Sequence, residues 1–121
     1  MTEILLFLCL IQIKHLVIDF LWQPEYEWKN KGTFLHFGGI RHAGKHSITT
    51  LIILLMFINP YLAVLLSILE GIIHNFIDWS KMNITRVREL SPIKDAEFWY
   101  WLGIDQYFHQ LTYILIAWII F

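Results

Sequence analysis

Charge is scarce in this chain. Only 16 % of its 121 residues are Asp, Glu, Lys or Arg, while 57 % are apolar. A soluble domain carries about 25 % charged and about 45–50 % apolar residues. A mean hydropathy of +0.55 shows that the excess is not confined to one short segment, and the reading is an integral membrane protein. Cysteine is nearly absent as well. Cys9 alone excludes an intrachain disulfide and leaves the redox compartment open; it lies in an apolar run as a small lipid- or core-facing residue. With three prolines and no low-complexity tract, a single domain over residues 1–121 is expected. The opening MTEILLFLCL lacks the basic residues of a secretory leader and has Glu3 in their place, so the first apolar segment is read as retained. A formal net charge of −1 offers nothing to a nucleic acid.

Four apolar segments remain: Ile4 to Trp22, His42 to Ile58, Tyr61 to Lys81, and Phe98 or Asp105 to Phe121. A membrane-spanning helix needs roughly 17–25 residues. The first and third segments meet that length. The second and fourth are short, and they span only if their polar ends are shielded inside a bundle or the bilayer thins. Asn59-Pro60 breaks the chain between the second and third, because the residue before proline is pushed out of helical geometry; those two segments form a tight hairpin. The fold expected is all-α, a four-transmembrane-helix bundle. Two longer links, Gln23–Arg41 and Met82–Ile104, are rich in aromatics such as Tyr26, Trp28, Trp99 and Trp101. They are expected to lie along the headgroups as short interfacial helices. Gly38-Gly39 is too short for a phosphate loop and marks the start of a helix, and His36 is expected as an unpartnered interfacial histidine.

Basic residues set the orientation. Eight of the nine Lys and Arg residues lie in or at the edges of the two long links, and only Lys14 does not. The positive-inside rule then puts both links in the cytoplasm and both termini outside.

Against that apolar background, four pairs of metal-type ligands stand four residues apart: His15 and Asp19, His42 and His46, His74 and Asp78, Asp105 and His109. Five of the six histidines and three of the ten acids fall into this pattern. Residues four apart share a helix face. With alternating helix directions, all four pairs meet at the cytoplasmic face. Ionisable groups within spanning helices are functional candidates by default. Imidazole and carboxylate together suit zinc first, with iron or manganese as alternatives. Zinc takes about four ligands, so either two ions bind or some of the eight residues support and exchange protons. The metal candidates are His15, Asp19, His42, His46, His74, Asp78 and His109. His42 has the weaker claim of its pair, since it lies at the expected start of its helix. Asp105 or Glu70 is the candidate base, and Lys81 suits an anionic group. Gln23, Gln106 and Lys14 extend the polar set. Glu70 also stands at a depth comparable to Lys14, and an ion pair between them competes with the catalytic role, because buried charges are paired.

These residues carry a resemblance. The order HLVIDF with Gln23, a lysine-containing link, H-x-x-x-H, HNFIDWSK and DQYFH resembles the domain of unknown function 3307 family of small bacterial and phage membrane proteins. The resemblance covers nearly the whole chain and implies His15, Asp19, Gln23, His46, His74, Asp78, Lys81, Asp105, Gln106 and His109 as the matching polar positions, with Lys29 or Lys31 as the link lysine. It implies a bacterial inner membrane or a phage-encoded equivalent. A looser similarity, in style of motif, is to membrane-bound metal-dependent hydrolases. The function expected is an intramembrane metal-dependent hydrolase acting on a lipid or prenyl phosphate. The alternatives are a non-haem iron lipid oxidoreductase, an ion pathway, or a regulatory or structural membrane protein held together by a buried polar network. Membrane lipid is the expected partner, homo-oligomers are compatible with the reading, and nucleic acid is excluded.

Overall fold

Helix boundaries follow from short polar signals. In the computed structural model, which describes residues 1–121, α1 spans Thr2–Leu16 and runs on through a widened π turn at Val17–Leu21. The other helices are α2 (Glu25–Asn30), α3 (Phe37–Leu54), α4 (Pro60–Val87) and α5 (Ala96–Ile120), and there is no strand. The Asn59 side chain accepts a hydrogen bond from the Leu62 N–H at 3.1 Å. Pro60 fills the first helical position, where its missing N–H costs nothing. His36, without a partner at helical spacing, has a local role: its Nδ1 accepts from the Gly38 N–H at 3.1 Å and caps α3. That cap starts α3 ahead of His42, so His42 sits inside the helix and not at its margin.

The first link does hold a short helix, α2. The second does not. There α4 continues past Lys81 to Val87 and α5 begins at Ala96, leaving a turn in which the Ser91 N–H donates to Asp95 Oδ2 at 2.8 Å. Glu89, in the left-handed region at φ 53, ends α4 and lets the Leu90 N–H reach back to the Thr85 carbonyl at 2.9 Å.

The four long helices pack in a ring, α1 on α3, α3 on α4, α4 on α5 and α5 back on α1, while α2 lies against α3. The tightest seam is α3–α4. A Cβ on Gly71 would stand 1.8 Å from Ser47 Oγ and 3.3 Å from the Ala43 carbonyl oxygen, so a larger residue would have to turn the Ser47 hydroxyl away and ease the helices apart. At one end of the ring Phe7, Ile11, Leu54, Ala63, Leu66, Tyr113, Ile116 and Ala117 form an apolar core. Phe7 meets Phe57 and Phe121 edge-on, with ring centroids 5.7 and 6.0 Å apart.

At the other end the interior is polar. Over the whole molecule, thirteen polar or charged side chains are buried against ten apolar ones, while Leu, Ile, Phe and Trp side chains cover the outside. Two helical stretches, Thr2–Leu21 and Pro60–Val87, are long and apolar enough to cross a membrane. α3 and α5 fall short on average hydropathy for a local reason. Their polar residues His42, His46 and Thr50, and Asp105 and His109, are buried in the bundle, whereas Ile48 and Ile52, and Phe108, Ile114, Leu115 and Trp118, are exposed. Cys9 is exposed on the outer surface.

Candidate metal centre

Asp19 is the hub of the polar end. It stands on the π turn, where one extra residue per turn re-aims side chains, a feature frequent at functional sites. Its Oδ1 lies 2.9 Å from His42 Nε2, 3.0 Å from His46 Nε2 and 3.7 Å from His74 Nε2. The His42 and His74 Nε2 atoms are 3.3 Å apart, and the His46 and His74 rings stack at 3.6 Å. Ligand atoms of Asp19, His42, His46 and His74 all lie within 4.8 Å of one another. Tetrahedral zinc with bonds of about 2.0–2.2 Å needs ligand–ligand edges of about 3.3–3.6 Å. Three imidazole nitrogens and one carboxylate oxygen, from the π turn, α3 and α4, are the donors that could hold a divalent cation here; two of the Asp19 distances are at hydrogen-bond length, so such an ion would spread the donors slightly.

A second group joins the first through His74. His74, Asp78 and His109 also present ligand atoms within 4.8 Å of one another. Asp78 Oδ2 is 3.3 Å from His42 Nε2 and 3.5 Å from His74 Nε2. His109 Nε2 lies 3.8 Å from Asp78 Oδ1 and 3.7 Å from Asp105 Oδ1. Asp78 Oδ2, Asp105 Oδ1 and His109 Nε2 are buried with no hydrogen-bond partner. Orphaned atoms of that kind are costly unless a ligand or ion satisfies them.

His15, expected among the ligands, belongs to neither group. Its Nε2 lies 3.1 Å from Asp19 Oδ2 and 2.9 Å from Gln106 Oε1, and its Nδ1 lies 2.8 Å from the Tyr113 hydroxyl. It orients the Asp19 carboxylate, as hydrogen-bonded partners of ligands commonly do. Gln106 in turn donates to Asp105 Oδ2 at 3.1 Å. Gln23 Nε2 reaches the His42 ring at 3.2 Å.

Beneath this layer the Lys14–Glu70 ion pair forms, at 3.1 Å, with both side chains buried. Thr50 Oγ1 accepts from Lys14 Nζ at 2.9 Å and donates to Glu70 Oε2 at 3.2 Å. Tyr113 OH lies 3.4 Å from Lys14 Nζ. Both Glu70 oxygens are thus engaged by Lys14 and Thr50, whereas Asp105 Oδ1 has no hydrogen-bond partner.

Of the two link lysines, Lys31 reaches the site. Its Nζ donates to Asp78 Oδ1 at 2.9 Å, whereas Lys29 pairs with Glu25 in the exposed part of α2. Burial pulls the Lys31 ammonium down, but Asp78 and Asp19 hold it above the ordinary lysine value, so it stays charged. Glu27 enters the site without any sequence signal. It is buried beside Lys45 (2.6 Å), Arg41 (2.8 Å) and His42 Nδ1 (3.4 Å). Burial pushes its carboxyl up, and the Lys45 and Arg41 hydrogen bonds outweigh that and hold it below the usual glutamate range. Lys45 also donates to the Trp22 carbonyl at 2.7 Å, so this clamp fixes α2 and the end of the π turn onto α3. Nothing periodic in the sequence marks Glu27. Thr50 and Tyr113 do have a signal, each being the next step of four after His46 and His109.

A cavity of about 360 Å³ opens onto the centre. Asp19, Gln23, Lys31, Lys81, Asp105 and Gln106 line its polar part, with Trp28 and Phe98 among its apolar walls. Lys81 holds its ammonium over the Phe98 ring at 4.8 Å and forms no salt bridge.

Comparison with known proteins gives one match. A family model described as "Protein of unknown function (DUF3307)" matches residues 5–121. No curated protein and no solved structure matches the chain.

Proposed function

We propose that this chain, which belongs to the DUF3307 family, is an intramembrane metal-dependent hydrolase of lipid or prenyl phosphates with its site at the cytoplasmic face. The observation that carries the reading is the set of four donor atoms from Asp19, His42, His46 and His74 within 4.8 Å of one another, buried among helices whose outer surfaces are apolar. His74 Nε2 is shared between the two donor groups, which favours one ion there, with Asp78, His109 and Asp105 beside it. A cation held by three of these four donors, with one position left open, would supply Lewis-acid activation of water or of a phosphoryl oxygen. In hydrolysis, water adds to phosphorus as the bond to the lipid alcohol oxygen breaks. Asp105 Oδ1, which has no hydrogen-bond partner, takes the proton from water. His109, between Asp78 and Asp105, returns one to the leaving alcohol. Lys31 and Lys81 offset the charge of the phosphate.

The inverted burial supports a four-span arrangement in which α1, α3, α4 and α5 all cross a bacterial inner membrane or a phage-encoded equivalent. Both long links are then cytoplasmic and both termini outside. A soluble bundle would bury its apolar faces and hydrate its charges. Reporter domains fused after Phe121 and inserted in the 88–95 turn should report opposite sides of the membrane. Reports from the same side would overturn the four-span arrangement.

Protein purified in detergent without chelators should contain about one zinc per chain by elemental analysis and release phosphate from a lipid monoester. Far less than one metal per chain would sink the hydrolase reading. Bound iron with visible-region absorbance would replace it with a non-haem iron lipid oxidoreductase.

A further inference from the structure

Two apolar grooves mark the outer surface of the polar half, and they differ in where they lead. The larger, of about 590 Å³, lies between α3 and α4 and passes Gly44, Ser47 and Gly71. No lysine, histidine or carboxylate lines it. The smaller, of about 260 Å³, lies between α4 and α5, walled by Ile77, Ile84, Trp101, Ile104 and Phe108, and it ends at Lys81 and Asp105. Those same two residues line the polar cavity over the Asp19 centre. The α4–α5 groove therefore shares two residues with the site's cavity, and the α3–α4 groove shares none.

The charge at the junction selects an occupant. Lys31 is committed to Asp78 at 2.9 Å. Lys81 forms no salt bridge and rests only on the Phe98 ring. A cation with no salt-bridge partner, at residues shared by an apolar groove and a polar cavity, complements an anionic head attached to a hydrocarbon chain. We infer that the α4–α5 groove is a lateral port that takes the single hydrocarbon chain of a phosphate monoester directly from the bilayer, with the phosphate seated on Lys81 at the mouth of the site. This rests on the hydrolase reading for the fate of the phosphate, but not for its binding. It narrows the substrate class to single-chain phosphates, because of the two apolar grooves only this one shares residues with the site's cavity.

Photolabelling reads the port without turnover. The probe is dodecyl phosphate with a mid-chain diazirine, applied to the full chain in detergent or nanodiscs and mapped by mass spectrometry. Label should fall on Ile84, Trp101 and Phe108. Ser80→Trp, from a residue that lines this groove, should cut that labelling about tenfold at unchanged zinc content; Ile84→Trp serves if the first variant does not fold. Gly44→Phe, where a side chain meets open space, should fill the other groove and leave the labelling as it was. Lys81→Met should weaken capture about tenfold, the value of one charged hydrogen bond. Excess ethyl phosphate should compete for the head seat, and a dodecanol diazirine probe should label weakly. Label on Ile40, Ile68 and Ile72 instead, or labelling indifferent to the head group, would overturn the port. Efficient labelling with no phosphate released would remove the hydrolase reading and leave the port standing. Phosphate released from ethyl phosphate, with no label in the groove, would do the reverse.

Discussion

Asp19→Ala is expected to strip zinc from the purified protein and abolish phosphate release with it. The carboxylate is the one residue whose oxygens touch three imidazoles closely: His42 and His46 on Oδ1, His15 on Oδ2. Its removal takes away the only negative ligand of the four-donor group and leaves neutral imidazoles around a lost centre. His15→Ala provides the calibration. His15 only orients Asp19, and losing a hydrogen-bond partner of a ligand typically lowers metal affinity by about 10–100-fold. Asp19→Ala should exceed that, falling to background zinc by elemental analysis, while His15→Ala recovers zinc when the ion is added in excess. The ordering separates the hydrolase reading from a purely structural polar network. Such a network would lose thermal stability in both variants yet hold no stoichiometric metal beforehand. Full zinc retained in Asp19→Ala would place the ion elsewhere.

The four ligand pairs were legible because two independent patterns agreed. Spacing by four puts each pair on one helix face, and the positions of the basic links point to the helix ends expected to lie together. The structure brings all four together: Asp19 to His42, His46 and His74, and Asp78 to His109. What stayed hidden follows from physics the linear pattern does not carry. A π turn is a one-residue change of winding, so nothing in HLVIDF announces that Asp19 stands on one. Glu27 lies in a charged link and reads as solvated; only the fold of α2 against α3 shows it buried beside Arg41, Lys45 and His42. The choice between Lys29 and Lys31 depends on which side of α2 faces Asp78. In α3 and α5 the mean hydropathy averages an inward polar stripe with an outward apolar one. The same stripe, read as His42-His46-Thr50 and Asp105-His109-Tyr113, is the best signal in the chain.

Breaking the Lys14–Glu70 pair is expected to cost more stability than any other single polar change, and its repair decides what Glu70 is for. Both side chains are buried, and the pair is held at 3.1 Å with Thr50 on each partner. Lys14→Met leaves a buried carboxylate with no cation, and removing one partner of a buried ion pair costs about 3–5 kcal/mol. Glu70→Gln leaves the ammonium stranded in the same way. The double variant Lys14→Met/Glu70→Gln removes both charges, keeps both volumes and leaves an amide at position 70 that can still bond Thr50. It should recover most of the loss, because replacing a buried pair by neutral groups of similar size is often near neutral. Thermal unfolding in detergent of all four proteins closes the double-mutant cycle, with a coupling energy of about 5–9 kcal/mol expected, the two single losses together less the small loss of the double. Zinc content and phosphate release of the double variant then assign the role. Retained zinc with activity near wild type makes Glu70 structural and leaves proton transfer to Asp105. Retained zinc with activity lost, in a protein whose stability has been restored, would return the catalytic base to Glu70, 3.7 Å from His74 Nδ1.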